Sequence, residues 1–263
     1  MSSRTGAISR AAKYLDSGEF ESELARRVAI PTESQVARGR PHLDRYIDEE
    51  MIPSFEAMGF TCRKFDNPIN ECGPVLLATR HEGDGLPTVL GYGHGDVIRG
   101  LEDQWTKGDG PWQTARDGDR VYGRGTADNK GQHTINMAAM RAVIAERGAL
   151  GFNAKVMIEM GEENGSRGVH QIMSENKPAF SADVFIGSDG PRVRMDRPTV
   201  SLGARGAQNF DLVCELRDGG HHSGNWGGAL ADPAAILAHA IATIVSPAGE
   251  IQIAAGRPPA MSA

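Results

Sequence analysis

The amino-acid sequence predicts an α/β fold, with a mostly parallel sheet flanked by helices, followed by the start of a smaller α+β domain. Short apolar runs alternate with helical patterns between residues 61 and 187, as in proteins built on a parallel sheet. The run 88–93 is apolar and ends in glycine, which suits a buried parallel strand. After residue 198 the pattern changes to a long alternating run, which predicts a domain boundary there.

The N-terminal part is predicted to be helical. Apolar residues at helical spacing predict helices near 7–16 and 19–29, and a third from about 42 to 58. Pro53 is expected to kink or split that third helix, and Gly59 ends it. The apolar runs that follow predict strands at 61–65, 74–81 and 87–93.

A loop-rich stretch, 95–116, precedes the longest predicted helix, 128–147, which Gly148 ends. The predicted apolar face of that helix consists of Ile135, Ala138, Ala139 and Ala142. A strand at 154–160, a helix near 166–176 and a strand at 183–187 continue the alternation. Beyond the boundary, the sequence predicts a strand-like run at 199–216, a glycine-rich turn at 219–228, a helix at 232–245 and a short strand at 250–254.

Composition disfavours several classes of protein. The chain of 263 residues carries 28 Lys and Arg against 34 Asp and Glu, and this net charge of −6 disfavours nucleic-acid binding. The sequence contains no apolar run near the roughly 20 residues that cross a bilayer, and the N-terminus does not resemble a secretory signal. Three cysteines without a C-x-x-C pair favour a reducing cytoplasm. We therefore expect a cytoplasmic protein with no nucleic-acid or membrane partner.

Acidic and histidine side chains follow the ends of predicted strands or open the long helix. They are His94, Asp96, Asp128, Glu162, Glu163 and Asp189. Taken singly, each has an ordinary interpretation: a turn residue, a helix N-cap for Asp128, or a solvated acidic turn for the two glutamates. Taken together they predict a shared site, because α/β sheets bind ligands at the carboxyl ends of their strands.

The residue types in this set are typical of a metal centre. Imidazole and carboxylates without a thiolate suit zinc, cobalt or manganese. A carboxylate-rich set with one bridging Asp suits a two-metal hydrolase. A two-metal phosphoesterase is a weaker alternative, because only Arg124 and Lys130 supply positive charge near the acids. The histidines at 42, 81, 133 and 170 lack partners at ligand spacing, and no ligand role is predicted for them.

Several segments resemble the signatures of one zinc metallohydrolase family. They are Tyr92-Gly93-His94-Gly95-Asp96-Val97, the stretch 117–131, Gly161-Glu162-Glu163-Asn164-Gly165-Ser166, and the tryptophan positions Trp105 and Gly110-Pro111-Trp112. His221-His222-Ser223-Gly224 is similar to a loop of the family's lid domain, most like that of its dipeptidase branch. The family includes carboxypeptidase G, acetylornithine deacetylase, succinyl-diaminopimelate desuccinylase, aminoacylase and the carnosine dipeptidases.

The resemblance implies a role for each matching residue. His94 and Asp189 would hold one zinc ion, Glu163 would hold a second, and Asp128 would bridge the two. Asp96 would orient His94, and Glu162 would be the general base. His222 would stabilise the oxyanion across a dimer interface formed by lid domains.

The family has a further metal-ligating histidine after its lid domain, and this sequence has no counterpart. His239 is predicted to face solvent from the middle of a helix, and His221 to be a loop neighbour of His222. We therefore expect a C-terminally truncated member. Residues 1–197 would form a catalytic metal-binding α/β domain that is incomplete at its C-terminal part, and 198–263 a partial lid or dimerisation domain.

The resemblance implies metal-dependent hydrolysis of an amide bond in a small peptide or an N-acyl amino acid, as in a dipeptidase, carboxypeptidase or deacylase. It also implies two zinc ions per subunit, with cobalt or manganese as substitutes, and a homodimer formed through the lid domain. The alternative is a truncated, non-catalytic remnant that keeps the fold and part of the metal binding.

Overall fold

The structure, a computed structural model, describes residues 3–69, 72–194, 196–203 and 210–257. The chain divides into two compact units, Met1–Arg197 and Pro198–Ala263. The described helices include none that is both long enough and apolar enough to cross a membrane.

The first unit begins with helices, as predicted. Helix α1 spans Arg4–Asp16 and α2 spans Glu19–Val28. A continuous helical stretch follows, made of α3 (Arg40–Arg45), a π-helical segment (Tyr46–Met51) and α4 (Ile52–Glu56). Pro53 lies in the first turn of α4, directly after the π-helical segment, so the change of helix type occurs beside the proline. The predicted third helix is therefore present and is split into segments.

Strands and helices then alternate. The strands are β1 (Thr61–Phe65), β2 (Val75–Arg80), β3 (Thr88–His94), β4 (Ala115–Asp117), β5 (Arg120–Tyr122), β6 (Asn153–Glu159) and β7 (Val184–Gly187). The helices among them are α5 (Lys130–Arg147), α6 (Val169–Glu175) and α7 (Lys177–Phe180). The runs predicted as strands between 61 and 187 all form strands, with bounds that differ by one residue or less.

The main sheet has the strand order β1-β2-β6-β3-β7. Strand β3 pairs in parallel with β6 on one side, in register His94 with Glu159, and with β7 on the other. Strand β2 runs antiparallel to both β1 and β6, so four of the five strands share one direction. The expected mostly parallel sheet is confirmed. Strands β4 and β5 form a separate hairpin.

Helices cover both faces of this sheet, because residues alternate between faces along each strand. On one face Leu76 and Ile158 pack against the helices at 40–56 and against α5. On the other face Leu77 and Met157 pack against α6 and α7. The two clusters make a helix–sheet–helix sandwich.

Helix α5 confirms the predicted element and part of its predicted apolar face. Ala142 is buried as predicted, but Ile135 is 55% exposed, whereas Met137 and Thr134 are buried. The Lys130 ammonium donates to the carbonyls of Arg27 and Ile30, which anchors the start of α5 to the end of α2. The rotation of the helix depends on this long-range contact, so the apolar periodicity alone did not identify the whole buried face. Gly148 ends α5 in a left-handed conformation with φ of 76°, as predicted.

The second unit contains α8 (Ser223–Trp226) and α9 (Pro233–Ile244). The Asp232 carboxylate caps α9 by accepting from the backbone N–H of Ala234 at 2.8 Å. The predicted strand at 199–216 is wrong for its described parts, 199–203 and 210–216, which form no strand; residues 204–209 lie outside the described residues. The predicted strand at 250–254 is reduced to one bridge between Val245 and Ile251. An alternating run becomes a strand only where a partner satisfies its backbone hydrogen bonds.

Candidate metal centre

Three neighbouring strands of the sheet end beside one another. Because β6, β3 and β7 are parallel neighbours, the residues that follow them lie at the same edge. His94 is the last residue of β3, and Glu162 and Glu163 begin the 3-10 turn directly after β6. Asp189 follows β7 by two residues. The topology therefore brings these side chains to one place from positions almost a hundred residues apart.

The His94 imidazole lies at the centre of the cluster. Its Nε2 is 2.8 Å from Oδ1 of Asp128, 3.7 Å from Oδ2 of Asp189 and 3.9 Å from Oε2 of Glu162. His94, Glu162 and Asp189 each offer one ligand atom, and these atoms all lie within 4.8 Å of one another. Among the described residues this is the one such group of three.

Asp96 holds two parts of the cluster in place through hydrogen bonds. Nδ1 of His94 donates to the Asp96 carbonyl at 3.0 Å and lies 3.2 Å from its carboxylate. The two carboxylate oxygens accept the backbone N–H groups of Glu162 and Glu163, each at 3.1 Å. One buried side chain thus orients the imidazole and the acidic turn together, and leaves Nε2 of His94 directed at the acids.

The electrostatics of the cluster reflect crowding of negative charge. Burial alone would lower the pKa of His94, but the hydrogen bond and charge of Asp96 outweigh it and raise the pKa to about 10. Burial and the charge of Asp128 raise the pKa of Glu163 to about 7. Burial also raises the pKa of Glu162, and the charges of Asp189 and Asp96 add to the effect. Crowded carboxylates of this kind are stabilised by a cation.

The donor set fits a divalent metal ion. A nitrogen of His94 and a carboxylate oxygen of Asp189 converge beside Glu162, whereas Glu163 is not a member of this group. Imidazole with carboxylate is a ligand mixture that zinc accepts. His94 is fully buried, whereas the side chains of Asp189, Glu162 and Asp128 are 25%, 37% and 65% exposed. The site is thus held from inside the protein and open on its other side, so a substrate could reach an ion there.

Asp128 is not the N-cap of α5. The helix begins at Lys130, its N-cap is Asn129, and no side chain caps it. The Asp128 carboxylate instead contacts His94, so the ordinary interpretation of this residue is wrong. The peptide bond between Asp128 and Asn129 is cis.

Two glycines mark close approaches around the site. A Cβ on Gly131, in the first turn of α5, would lie 2.0 Å from the Thr126 carbonyl oxygen, which explains a residue that is costly in a helix. A Cβ on Gly93 would lie 2.9 Å from Oδ1 of Asn129. Gly131 allows the loop before α5 to fold closely onto the first turn of that helix, and Gly93 allows the start of α5 to lie close to the end of β3.

Sequence reasoning missed a group of polar side chains behind the cluster. They are Asn129, His133, Tyr46 and Glu159, all of which are buried. The Glu159 carboxylate accepts from the Tyr92 hydroxyl and the Ser166 hydroxyl, each at 2.8 Å. A signal for two of them was present, because Asn129 and His133 are four residues apart and so share one face of a helix.

His222 belongs to the second unit, where its Nδ1 accepts from the backbone N–H of Gly224 at 3.1 Å. Its other ring nitrogen is not used in any hydrogen bond with the described residues. His239 is exposed on α9, as predicted.

Comparison with known proteins places these residues in a family. Residues 90–262 match the model of peptidase family M20/M25/M40. The chain belongs to this family. The matched stretch contains His94, Asp128, the two glutamates and Asp189, so the whole acidic cluster lies inside the region that defines family membership.

The chain is similar to two curated proteins and to one solved structure, among others. The chain is 32% identical over 180 residues to a cysteinylglycine-S-conjugate dipeptidase of Corynebacterium striatum, covering 68% of this chain and 38% of that protein. It is 34% identical over 182 residues to a Beta-Ala-His dipeptidase of Mus musculus, covering 68% and 37%. The di-peptidase Dug1p of Saccharomyces cerevisiae superimposes with a TM-score of 0.76 at 22% identity, covering 97% of this chain and 55% of that one.

The chain shares the fold of the Dug1p structure, and the predicted α/β class is confirmed. The matched segments span less than two fifths of the length of the two curated relatives.

Proposed function

We propose that the protein is a metal-dependent dipeptidase that hydrolyses the amide bond of a small peptide. The observation that carries the proposal is the convergence of His94, Glu162 and Asp189 at the carboxyl ends of three parallel strands. The dipeptidase names of the curated relatives support the substrate class. Hydrolysis of N-acyl amino acids or C-terminal peptide residues is the broader chemistry that the same site would allow.

We propose two zinc ions as the cofactor. His94 and Asp189 would hold one ion, Glu163 the other, and Asp128 would bridge them, with cobalt or manganese as substitutes. A divalent cation in this position would polarise the scissile carbonyl and lower the pKa of a water molecule.

The remaining chemistry is assigned to side chains of the chain itself. Glu162 takes a proton from the attacking water and delivers it to the leaving amine nitrogen. Asp96 keeps His94 and the Glu162 turn in place, as its hydrogen bonds support. His222 would act across the dimer interface formed by lid domains, where it would donate a hydrogen bond to the carbonyl oxygen as negative charge develops there.

The organisation of the protein is part of the proposal. Residues 1–197 would be the catalytic domain, and 198–263 would belong to a lid domain through which two copies form a homodimer. We also propose a cytoplasmic location, in keeping with three cysteines that include no C-x-x-C pair. The non-catalytic alternative is not favoured, because the curated relatives are dipeptidases.

The direct test combines zinc analysis with a hydrolysis assay. The purified protein is loaded with zinc and desalted, its zinc content is measured, and release of free amino acids from Cys-Gly and β-Ala-His is followed. We expect retained zinc and hydrolysis of at least one dipeptide. His94→Ala should lose both, whereas His239→Ala, which changes an exposed histidine on α9, should lose neither. Retention of zinc by His94→Ala at the level of the unsubstituted protein would contradict the proposed centre.

A further inference from the structure

Asn129 is hydrogen-bonded on every side of its amide. Its Oδ1 accepts from the backbone N–H of His94 at 3.2 Å and lies 3.2 Å from Nδ1 of His133. Its Nδ2 donates toward three oxygens: the Ser188 carbonyl at 2.8 Å, Oδ1 of Asp189 at 3.0 Å and, at the longer distance of 3.3 Å, Oε1 of Gln132. Asn129 therefore contacts the segments that end β3 and β7, and it contacts a proposed ligand directly.

The direction of these hydrogen bonds follows from one fixed donor. A backbone N–H can only donate, so the atom that faces the His94 N–H must be the amide oxygen. The amide nitrogen then faces Asp189, and both of its hydrogens are available to oxygen acceptors. The backbone N–H of His94 thus identifies which end of the Asn129 amide is the oxygen, independently of the acidic cluster.

His133 and Tyr46 extend the chain of hydrogen bonds inward. Since Oδ1 of Asn129 is an acceptor, Nδ1 of His133 carries the proton, and in the neutral ring Nε2 accepts. The Tyr46 hydroxyl lies 2.6 Å from that Nε2 and is its donor. Burial, with Arg27, His94 and Lys130 nearby, holds the pKa of His133 well below its usual value. Tyr46, His133 and Asn129 are all at least 98% buried.

We propose that Asn129 is a positioning residue for the metal centre, oriented by His133 and Tyr46, and that it selects which oxygen of Asp189 is presented to the ion. Asn129 donates a hydrogen bond to Oδ1 of Asp189, whereas Oδ2 lies 3.7 Å from Nε2 of His94. A ligand whose second oxygen is hydrogen-bonded loses less freedom on binding, and such supporting contacts typically change metal affinity about 10- to 100-fold. The inference rests on the proposed function.

The chain offers a matched control for the loss of a buried, fully bonded amide. Asn153, at the opposite end of β6, accepts from the N–H groups of Glu82 and Gly83 and donates to the carbonyls of Gly83 and Leu86. Asn129→Leu and Asn153→Leu both remove a buried amide of similar connectivity. Only the first touches Asp189, so a difference in metal affinity between the two variants reports positioning and not general packing.

The test is zinc affinity of the full chain, measured by competition with a chromophoric chelator, together with the thermal midpoint of the metal-free protein. We expect Asn129→Leu to weaken zinc binding about 10- to 100-fold, and Asn153→Leu to leave it within about twofold, although both lower the thermal midpoint. Equal zinc affinity of Asn129→Leu and the unsubstituted protein, or equal weakening in the two variants, would overturn the inference alone. Failure of the unsubstituted protein to bind zinc would overturn the proposed function, and the inference with it.

Two milder measurements decide the case if Asn129→Leu does not fold. Tyr46→Phe removes only the hydroxyl that orients His133 and should weaken zinc binding several-fold. Tyr14→Phe, which removes a hydroxyl bonded to Glu23 far along the sequence from the site, should leave zinc binding unchanged. Nitrogen-15 shifts of the His133 ring should show a proton on Nδ1 and none on Nε2. Unchanged affinity in Tyr46→Phe, or the opposite tautomer, would overturn the inference.

Discussion

Asp96 lies with its carboxylate 3.2 Å from Nδ1 of His94, and both side chains are completely buried. The same carboxylate accepts from the backbone N–H groups that begin the Glu162–Asn164 turn. This one residue therefore links the imidazole at the end of β3 to the acidic turn after β6.

Asp96→Asn should weaken the metal centre without removing any of its ligands. Each oxygen of the carboxylate accepts one of the two N–H groups, and Asn replaces one of these oxygens by an NH2 group, which can only donate. We expect zinc affinity to fall about 10- to 100-fold, measured by chelator competition. Unchanged affinity would show that the hydrogen bonds of Asp96 do not support the ligands.

Glu162→Gln should separate proton transfer from metal binding. Loss of a general base typically costs about 10²- to 10⁴-fold in rate, whereas the proposed ligands are unaltered. We expect zinc content to be retained and dipeptide hydrolysis to fall by that factor. The matched variant Glu163→Gln, one residue along, should lose zinc instead. Loss of zinc in Glu162→Gln would make Glu162 a ligand, and undiminished hydrolysis would remove it from the mechanism.

His222→Ala should slow hydrolysis without releasing zinc. The proposed role of His222 is to stabilise charge on the carbonyl oxygen, and removal of one such donor typically costs about 10²- to 10³-fold in kcat. The neighbouring His221, whose ring packs against Trp226, provides the control: His221→Ala should have a much smaller effect on kcat. Zinc loss in His222→Ala would mean that the assigned role is wrong.

Glu23→Gln should make the free energy of unfolding less dependent on pH in the acid range. The buried Glu23 carboxylate bonds Arg27 and Arg141. Burial alone would raise its pKa, but the hydrogen bond with Arg141 and the charge of Arg27 outweigh it and lower the pKa to about 2. Since the folded pKa lies below the unfolded value, the stabilisation is complete above about pH 5 and is lost as pH falls toward 2.

The measurement is urea unfolding of both proteins at pH 7 and pH 3.5. Removing one partner of a buried ion pair typically costs about 3 kcal/mol, so Glu23→Gln should be less stable than the unsubstituted protein at pH 7. The difference in free energy of unfolding between the two proteins should be smaller by about 1 kcal/mol at pH 3.5. Glu49→Gln, which breaks an exposed pair with Arg45, should have little effect at either pH. If the difference in free energy of unfolding does not change with pH, the lowered pKa of Glu23 is contradicted.

Local elements of the first unit were predictable because their signals are local. The strand at 61–65 and the end of α5 at Gly148 are specified by residues a few positions apart, and short-range periodicity records that spacing. The rotation of α5 was not predictable, because it depends on Lys130 reaching carbonyls about a hundred residues away. The strand predicted at 199–216 was wrong for its described parts for a related reason. An alternating pattern is typical of a strand, but it does not provide the neighbouring strand that accepts and donates the backbone hydrogen bonds.

By itself, the sequence determined the chemistry available to the protein: one histidine and several carboxylates, each placed at the end of a strand or the start of a helix. Only the tertiary structure decided which of them meet. The insertion of β6 between β2 and β3 brings the glutamates beside His94, and the buried Tyr46–His133–Asn129 chain lies behind Asp189. Residue type and spacing are properties of short segments, whereas convergence depends on pairing between segments that are distant in the chain.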